Sequence, residues 1–202
     1  MHQSSYEKMQ GFRDRHLAGR EAEALRIVDL GSQDVNGSYR ELFSGCAWTY
    51  VGADASAGRN VDVVLADPDN WRELYSRSAD VLISGQALEH MPHPWIAMLE
   101  IRRVLVPGGL CCLLAPAGGP EHRYPVDCWR ILSDGFAALA DWADLEVVEL
   151  STQWENQGHA DGSDVWHDSL FVGRCPQRGG LASRRADLRR WLKHRVLTWR
   201  CL

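Results

Sequence analysis

Residues 79–116 read ADVLISGQALEHMPHPWIAMLEIRRVLVPGGLCCLLAP, and this stretch decides the architecture. Ala79–Gly85 is an apolar run closed by a glycine, the pattern of a strand buried on both faces. Pro94–Leu105 places Ile96, Leu99, Val104 and Leu105 near helical spacing, and Pro94 suits a first helical turn. VPGG ends the helix, and Leu110–Pro116 is again apolar almost throughout. Strand, helix and strand in that order make a parallel crossover unit, which needs helices on the faces of its sheet.

Working outward, the same alternation continues. Tyr6–Leu25 reads as a helix with Phe12, Leu17 and Leu25 as its apolar points. Arg26–Leu30 is a short strand, and Gly37–Phe43 begins a helix. Trp48–Asp54 and Val61–Asp67 are strands, and Asn70–Ser76 is a short helix with Asn70 as N-cap. Beyond the central unit, Ser133–Ala143 is a helix with Ser133 as N-cap. Leu145–Trp154 and Asp168–Cys175 are the last strands. A long irregular loop joins those two, so at least one of them is expected to run antiparallel. The whole is an α/β fold with a mostly parallel seven-stranded sheet and helices on both faces.

The bulk numbers fit one soluble domain: 202 residues, 45% apolar and 24% charged. No segment is apolar enough to span a bilayer, and the N-terminal MHQSSYEKMQGFRDRH has no secretory core. The six cysteines include no CxxC pair, and Cys111 and Cys112 should point to opposite faces of a strand. Free thiols in a reducing cytoplasm are therefore expected. Net charge is −5 but unevenly spread: after Gln177 eight basic residues face one acid, Asp187, so the tail carries +7 and the body −12. An acidic body argues against a nucleic-acid partner and suits a neutral or cationic ligand.

In open sheets ligands bind beyond the carboxyl ends of the strands. The residues there are Asp29 and Gly31, Asp54, Asp67, and Ser84, Gly85 and Gln86. Gly31 lets backbone approach a ligand closely. Asp54 can accept both hydroxyls of a ribose, and Asp67 an exocyclic amine of a base. Each is equally readable as a turn residue; three acidic strand ends in phase weigh towards a ligand. A dinucleotide site would want G-x-G-x-x-G, but Gly31-Ser32-Gln33-Asp34-Val35-Asn36-Gly37 has Gln33 at the middle glycine, and Asp34 would meet the pyrophosphate. NAD(P) chemistry is thus the weaker reading. A phosphate-free, positively charged nucleoside such as S-adenosylmethionine is the better match.

Three motifs carry a family resemblance: VDLGSQDVNG (Val28–Gly37), YVGAD (Tyr50–Asp54) and the central stretch Ala79–Pro116 with its LEH and R-V-L-x-P-G-G elements. From about Arg26 to Cys175 the chain resembles the class I S-adenosylmethionine-dependent methyltransferases, with their Rossmann-like fold. Two departures stand out. Gln33 replaces a glycine often found in the first loop. Between Asp54 and Val61 only ASAGRN stands where the family has a helix, which should leave the adenosine side more open. The resemblance implies that Asp29, Gly31, Ser32, Gln33 and the loop ending at Gly37 line the methionine end. It also implies that Asp54 takes the ribose, that Asp67 lies near the adenine, and that Ser84, Gly85 and Gln86 cover the sulfonium side.

Methyl transfer to an alcohol needs a proton acceptor, and histidine is the usual candidate near neutral pH. His90 follows the fourth strand and would sit near the reacting methyl, although LEH recurs across many chemistries of that family. The more individual stretch is Gly119–Gly135, GPEHRYPVDCWRILSDG. There His122 is a candidate base, Asp127 can orient it or bind a sugar-like hydroxyl, and Tyr124 and Trp129 can wall a substrate. The alternative is that Tyr124, Pro125 and Trp129 pack the loop onto the sheet. Glu155–Asp168 offers His159, Asp161, Asp164, His167 and Asp168, a set that could hold a divalent ion but reads more simply as a solvated loop or lid; no metal is expected.

The expected partner is a small methyl acceptor, a hydroxyl of a sugar or secondary metabolite, with a small amine as the second choice. A non-catalytic S-adenosylmethionine-binding scaffold is the reading from another class. Monomer and homodimer are both compatible. Residues 1–177 form the expected methyltransferase domain and 178–202 a basic amphipathic tail. In the tail Leu181, Leu188, Trp191, Leu192 and Trp199 interleave with arginines, suited to weak contact with a membrane surface or to docking on the acidic body, the preferred reading.

Overall fold

The computed structural model describes residues 2–200, with side chains described as far as 198. The strands are β1 Arg26–Leu30, β2 Thr49–Asp54, β3 Val63–Val64, β4 Ala79–Gly85, β5 Leu105–Ala115, β6 Glu146–Thr152 and β7 Ser169–Arg174. The helices are α1 Gln3–His16, α2 Pro94–Val104, α3 Ser133–Ala143 and α4 Gly180–Arg200. One sheet of order β3-β2-β1-β4-β5-β7-β6 contains all seven strands. Only β7 runs against its neighbours, β5 and β6. Among the described residues no α-helix separates β6 from β7, only a 3-10 turn at Ser163–Trp166; an antiparallel pair needs no crossover. Strand order reverses between β1 and β4, which pair in register Ile27↔Val81 and Asp29↔Ile83. The crevice at such a reversal is where open α/β sheets bind ligands.

The unbroken apolar runs of the sequence divide by alternation. Val28, Leu82, Cys111 and Leu113 face α2 and α3, with Phe136 stacked on Phe171 at 5.6 Å. Ile27, Val81, Ile83, Cys112 and Leu114 face Met9 and Phe12 of α1. Cys111 and Cys112 thus lie on opposite faces, and the five described cysteines are free. Full burial of each large side chain contributes about 1.5–3 kcal/mol, enough with two faces filled to fix the strand tips that follow.

Several local expectations fail for identifiable reasons. The first helix stops at His16, and residues 18–25 are turns rather than helix. Gly37–Phe43 yields only a 3-10 turn at Arg40–Phe43. Asn70–Ser76 makes turns, not a helix: the Trp71 amide donates to Glu100 at 3.0 Å and the Trp71 carbonyl accepts from Arg103 at 2.8 Å, so tertiary partners take the groups a helix would use. Asn70 therefore caps nothing. Ser133 is the first helical residue and not the N-cap, which is Leu132; its hydroxyl pairs with Thr152. β3 shrinks to two residues, so Asp67 lies beyond the strand end.

In α4, His194 is buried and its Nε2 donates to the Asp69 carbonyl at 2.7 Å, while Lys193 donates to the Trp142 carbonyl. Arg178 pairs with Asp144 and Arg77 with Asp187. Leu181, Leu188, Trp191 and Leu192 are exposed. The side chain of Trp199 lies outside the described residues. No helix of the described residues is long and apolar enough to cross a membrane.

Candidate active site

The tips of β1, β2 and β4 gather most of the expected binding residues. Asp29 is buried beneath the crevice; the Tyr50 hydroxyl donates to its Oδ2, and its Oδ1 has no partner among the described residues. Burial pushes the Asp29 carboxyl up to about 7. Gly31 has φ +76°, and a Cβ there would lie 2.4 Å from that of Ala87, so only glycine lets the first loop close on the turn after β4. Asp54 accepts from the amides of Gln33 at 3.0 Å and Ser56 at 3.3 Å. The Ser84 hydroxyl is tied to the Leu30 carbonyl at 2.8 Å, and Tyr39 packs where a Gly85 side chain would be. Gln86, at φ +60°, donates to Asp168 at 3.0 Å, and its Oε1 is unpartnered among the described residues.

The short connection after β2 is tied to the first loop by hydrogen bonds. Asn60 donates to the Ser32 carbonyl at 2.8 Å, and the Ser32 hydroxyl to the Asn60 carbonyl. The Asp34 amide donates to the Arg59 carbonyl, and Arg59 pairs with the Asp34 carboxylate at 3.2 Å. Gln33 lies against Gly58, and the Gly37 amide donates to Asp34. The missing helix is replaced by a polar brace between two loops. Asp67 stands apart: it accepts from the Asp69 amide at 2.9 Å, as a turn residue does.

The second group of residues lies where the turn after β4 meets the loop after β5. The amides of Cys128 and Trp129 both donate to the Glu89 carbonyl, at 2.8 and 3.2 Å, strapping residues 119–132 over the 3-10 turn Leu88–His90. This brings the His90 and His122 rings to 4.9 Å. Asp127 accepts from the His122 amide at 2.7 Å, stands 3.5 Å from its Nδ1, and is held by two hydrogen bonds from Arg130. Those Arg130 bonds keep its carboxyl well below the usual range. Burial, reinforced by His90, lowers the pKa of His122 and favours the neutral imidazole. Trp166 closes the far side, 4.6 Å from the His122 ring.

Glu89 was not among the sequence candidates, yet it sits at the centre of this group. It is fully buried, burial pushes its carboxyl up to about 8, and neither oxygen has a hydrogen-bond partner among the described residues. Its signal was present within LEH: an acid in an apolar turn between two elements of the core. Tyr50 was also missed, since it lies inside the strand motif YVGAD rather than in a loop, and Asp168 was named only as a possible metal ligand. Trp129 donates to the Met91 carbonyl and meets Trp95 edge-on at 5.9 Å, which accords with packing of the strap, whereas Tyr124 is exposed. The 155–168 loop forms no metal cage among its described residues: both ring nitrogens of His159 are engaged, by Asp164 and Glu7, and His167 pairs with the Gln153 carbonyl.

The donor set tests whether a sulfonium nucleoside fits. Asp29 and Gln86 each leave a buried acceptor atom, Asp54 keeps lone pairs beside its two amides, and the first loop is closed by a glycine that no side chain can replace. Acceptors of this kind want an ammonium and hydroxyls, and nothing in the first loop supplies the cationic cradle a phosphate needs. The residues fit.

Residues 28–113 match a family model described as a methyltransferase domain. An uncharacterized methyltransferase of Mycobacterium avium (strain 104) is 29% identical over 118 residues, which cover 51% of this chain and 46% of the relative. The chain thus spans about half the length of the curated relatives it matches. Among solved structures, 1,6-didemethyltoxoflavin-N1-methyltransferase of Burkholderia thailandensis, with 1,6-didemethyltoxoflavin and S-adenosylhomocysteine bound, superposes with a TM-score of 0.65 at 12% identity, over 86% of this chain and 79% of that one. The [4+2]-cyclase SpnF gives 0.61 at 16% identity, over 85% and 81%. At these identities the solved structures speak to the fold.

Proposed function

We propose that this chain is a class I S-adenosylmethionine-dependent methyltransferase that transfers a methyl group to a hydroxyl of a small acceptor, a sugar or secondary metabolite. The observation that carries this reading is the group at Glu89, His90 and His122, a set of proton acceptors beside the strand tips. When bound, S-adenosylmethionine supplies a methyl whose C–S bond breaks as the bond to the acceptor oxygen forms, leaving a thioether and one proton.

The chain's own residues supply alignment and a place for that proton. Asp29 and Asp54 hold the cationic and hydroxyl-bearing ends. Gly31 permits the close approach, and Gln86 with Asp168 fixes the turn beside the methyl. Asp127 sits behind Nδ1 of His122, so Nε2 is left to face Glu89 and the acceptor. Residues 1–177 are the unit that does this, with 178–202 appended. A hydroxyl is favoured over an amine because an amine needs no such acceptor group.

The test is mass spectrometry of products from S-adenosylmethionine with panels of hydroxyl- and amine-bearing acceptors. Methylated alcohols are the expected outcome. Methylated amines alone would shift the acceptor class. Cofactor binding without any product would favour a scaffold, a reading that the SpnF cyclase makes relevant by placing a different chemistry on this fold.

A further inference from the structure

We propose that Glu89, His90 and His122 form a binding site for one divalent transition-metal ion of the zinc class. Nε2 of His90 lies 3.7 Å and Nε2 of His122 3.9 Å from Oε1 of Glu89, and no two of the three ligand atoms are more than 4.8 Å apart. Zinc bound at about 2.0–2.1 Å sets tetrahedral ligands roughly 3.3 Å apart. The two Glu89–histidine spacings therefore need to contract by about half an ångström, and no pair of ligand atoms by more than about 1.5 Å.

The hydrogen bonds behind the ligands determine what they want. Nδ1 of His90 is 2.5 Å from the Val126 carbonyl, which fixes the proton on Nδ1 and leaves Nε2 as a lone pair. Nδ1 of His122 faces the Asp127 carboxylate at 3.5 Å, the carboxylate–histidine arrangement that orients metal ligands. Nε2 of His90 thus presents a lone pair, and Nε2 of both histidines faces a carboxylate that is itself buried and accepts no hydrogen bond among the described residues. When Glu89 is ionised the three groups put acceptors around one point, an arrangement that a cation between them completes. Two imidazoles and one carboxylate suit zinc, cobalt(II), manganese(II) or iron(II) rather than calcium or magnesium, which prefer all-oxygen sets.

The strap supplies the geometry. His90 is fixed by the turn after β4, and His122 is carried in by residues 119–132 through their bonds to the Glu89 backbone. His122 is the most open of the three, with a third of its side chain exposed, so the fourth position faces the crevice. On the proposed function, with the ion bound, the three side chains act as its ligands in place of the proton-accepting role given above, and an acceptor hydroxyl at the fourth position loses its proton to water more readily for being bound to the ion. The site itself does not depend on that reading.

The experiment is titration of chelator-treated full-length protein with zinc chloride by calorimetry, and with cobalt(II) by visible absorption, without S-adenosylmethionine. One zinc per chain and the d–d bands of a low-coordinate cobalt site are expected. Glu89→Gln and His122→Ala should each weaken binding at least about a hundredfold, and Asp127→Asn about 10–100-fold. His159→Ala should leave it unchanged. Circular dichroism reports the fold of each variant, and Glu89→Gln keeps the side-chain shape. Absence of binding to the folded parent, or binding that survives both Glu89→Gln and His122→Ala, overturns the site. Zinc bound at these residues with no methyl transfer refutes only the reading of function.

Discussion

Two of the histidine–carboxylate clusters among the described residues, one in the 155–168 loop and one at the strap, are built from the same residue types with opposite hydrogen bonding. In the 155–168 loop, Asp164 accepts from the amides of Gln157, Gly158 and His159 at 2.9–3.0 Å, from the Gln153 side chain at 2.7 Å, and from Nδ1 of His159 at 2.6 Å. Nε2 of His159 then reaches Glu7 at 3.2 Å. Every acceptor has a donor. At the strap, Glu89 has none among the described residues, and Nε2 of both imidazoles beside it faces the carboxylate. A satisfied cluster has spent its polarity on holding a loop. An unsatisfied one in a packed core persists only if something else completes it. Residue type alone does not separate a brace from a site; the count of donors does.

The sharpest way to break this contrast is to exchange one carboxylate in each cluster. Glu89→Gln puts two N–H donors among the acceptors, so the fold should be as stable as the parent or more so. Turnover should fall about 10²–10⁴-fold, the range for loss of proton-transfer assistance. Asp164→Ala should do the reverse: the melting temperature drops by several degrees while turnover per folded molecule stays near the parent's. Thermal melts and initial rates on both variants decide. A Glu89→Gln protein that unfolds, or one that retains full turnover, would make the strap cluster another brace.

A second unsatisfied acceptor sharpens the comparison at the strand tips. Asp29 has a carboxyl raised to about 7 by burial, with Oδ1 open. Below that pH the free protein holds Asp29 protonated, while an ammonium beside it requires the carboxylate. Binding therefore releases a proton, and affinity for S-adenosylmethionine should rise with pH by up to about tenfold per unit below 7, then level off. Asp29→Asn should bind weakly and without this slope. Calorimetry from pH 5.5 to 8 measures both; a flat profile in the parent removes Asp29 from the cofactor site.

What the sequence revealed follows the same division between local and tertiary causes. β1 and β4 were legible to the residue because buried parallel strands are written as continuous apolar runs. The placement of Asp29, Gly31 and Asp54 at the tips of β1 and β2 was legible because the end of an apolar run marks the end of a strand. The turns at 70–76 were misread as helix because Trp71 and its neighbours hand their hydrogen bonds to Glu100 and Arg103 on α2, more than twenty residues away. Glu89 was missed within a quoted motif for a related reason. Its significance lies in what does not touch it, and His122, thirty-three residues on, reaches it only because the strap hydrogen-bonds to the Glu89 carbonyl.

The smallest expected effect comes from the braced cluster and runs on pH. Burial disfavours a charged His159, but its hydrogen bonds to Asp164 and Glu7 outweigh this and raise its pKa above 6.5. The folded protein thus holds that proton more tightly than the unfolded chain. The resulting stabilisation is fully present below about pH 6.5 and is lost as pH rises through the folded value. The urea midpoint of the parent should therefore fall slightly, relative to that of His159→Gln, between pH 6 and pH 8, with turnover per folded molecule alike in the two. A parent and variant whose midpoints run parallel would mean that His159 shares its proton no differently folded than unfolded. The loop would then be held by the backbone amides on Asp164, and the imidazole would add only shape.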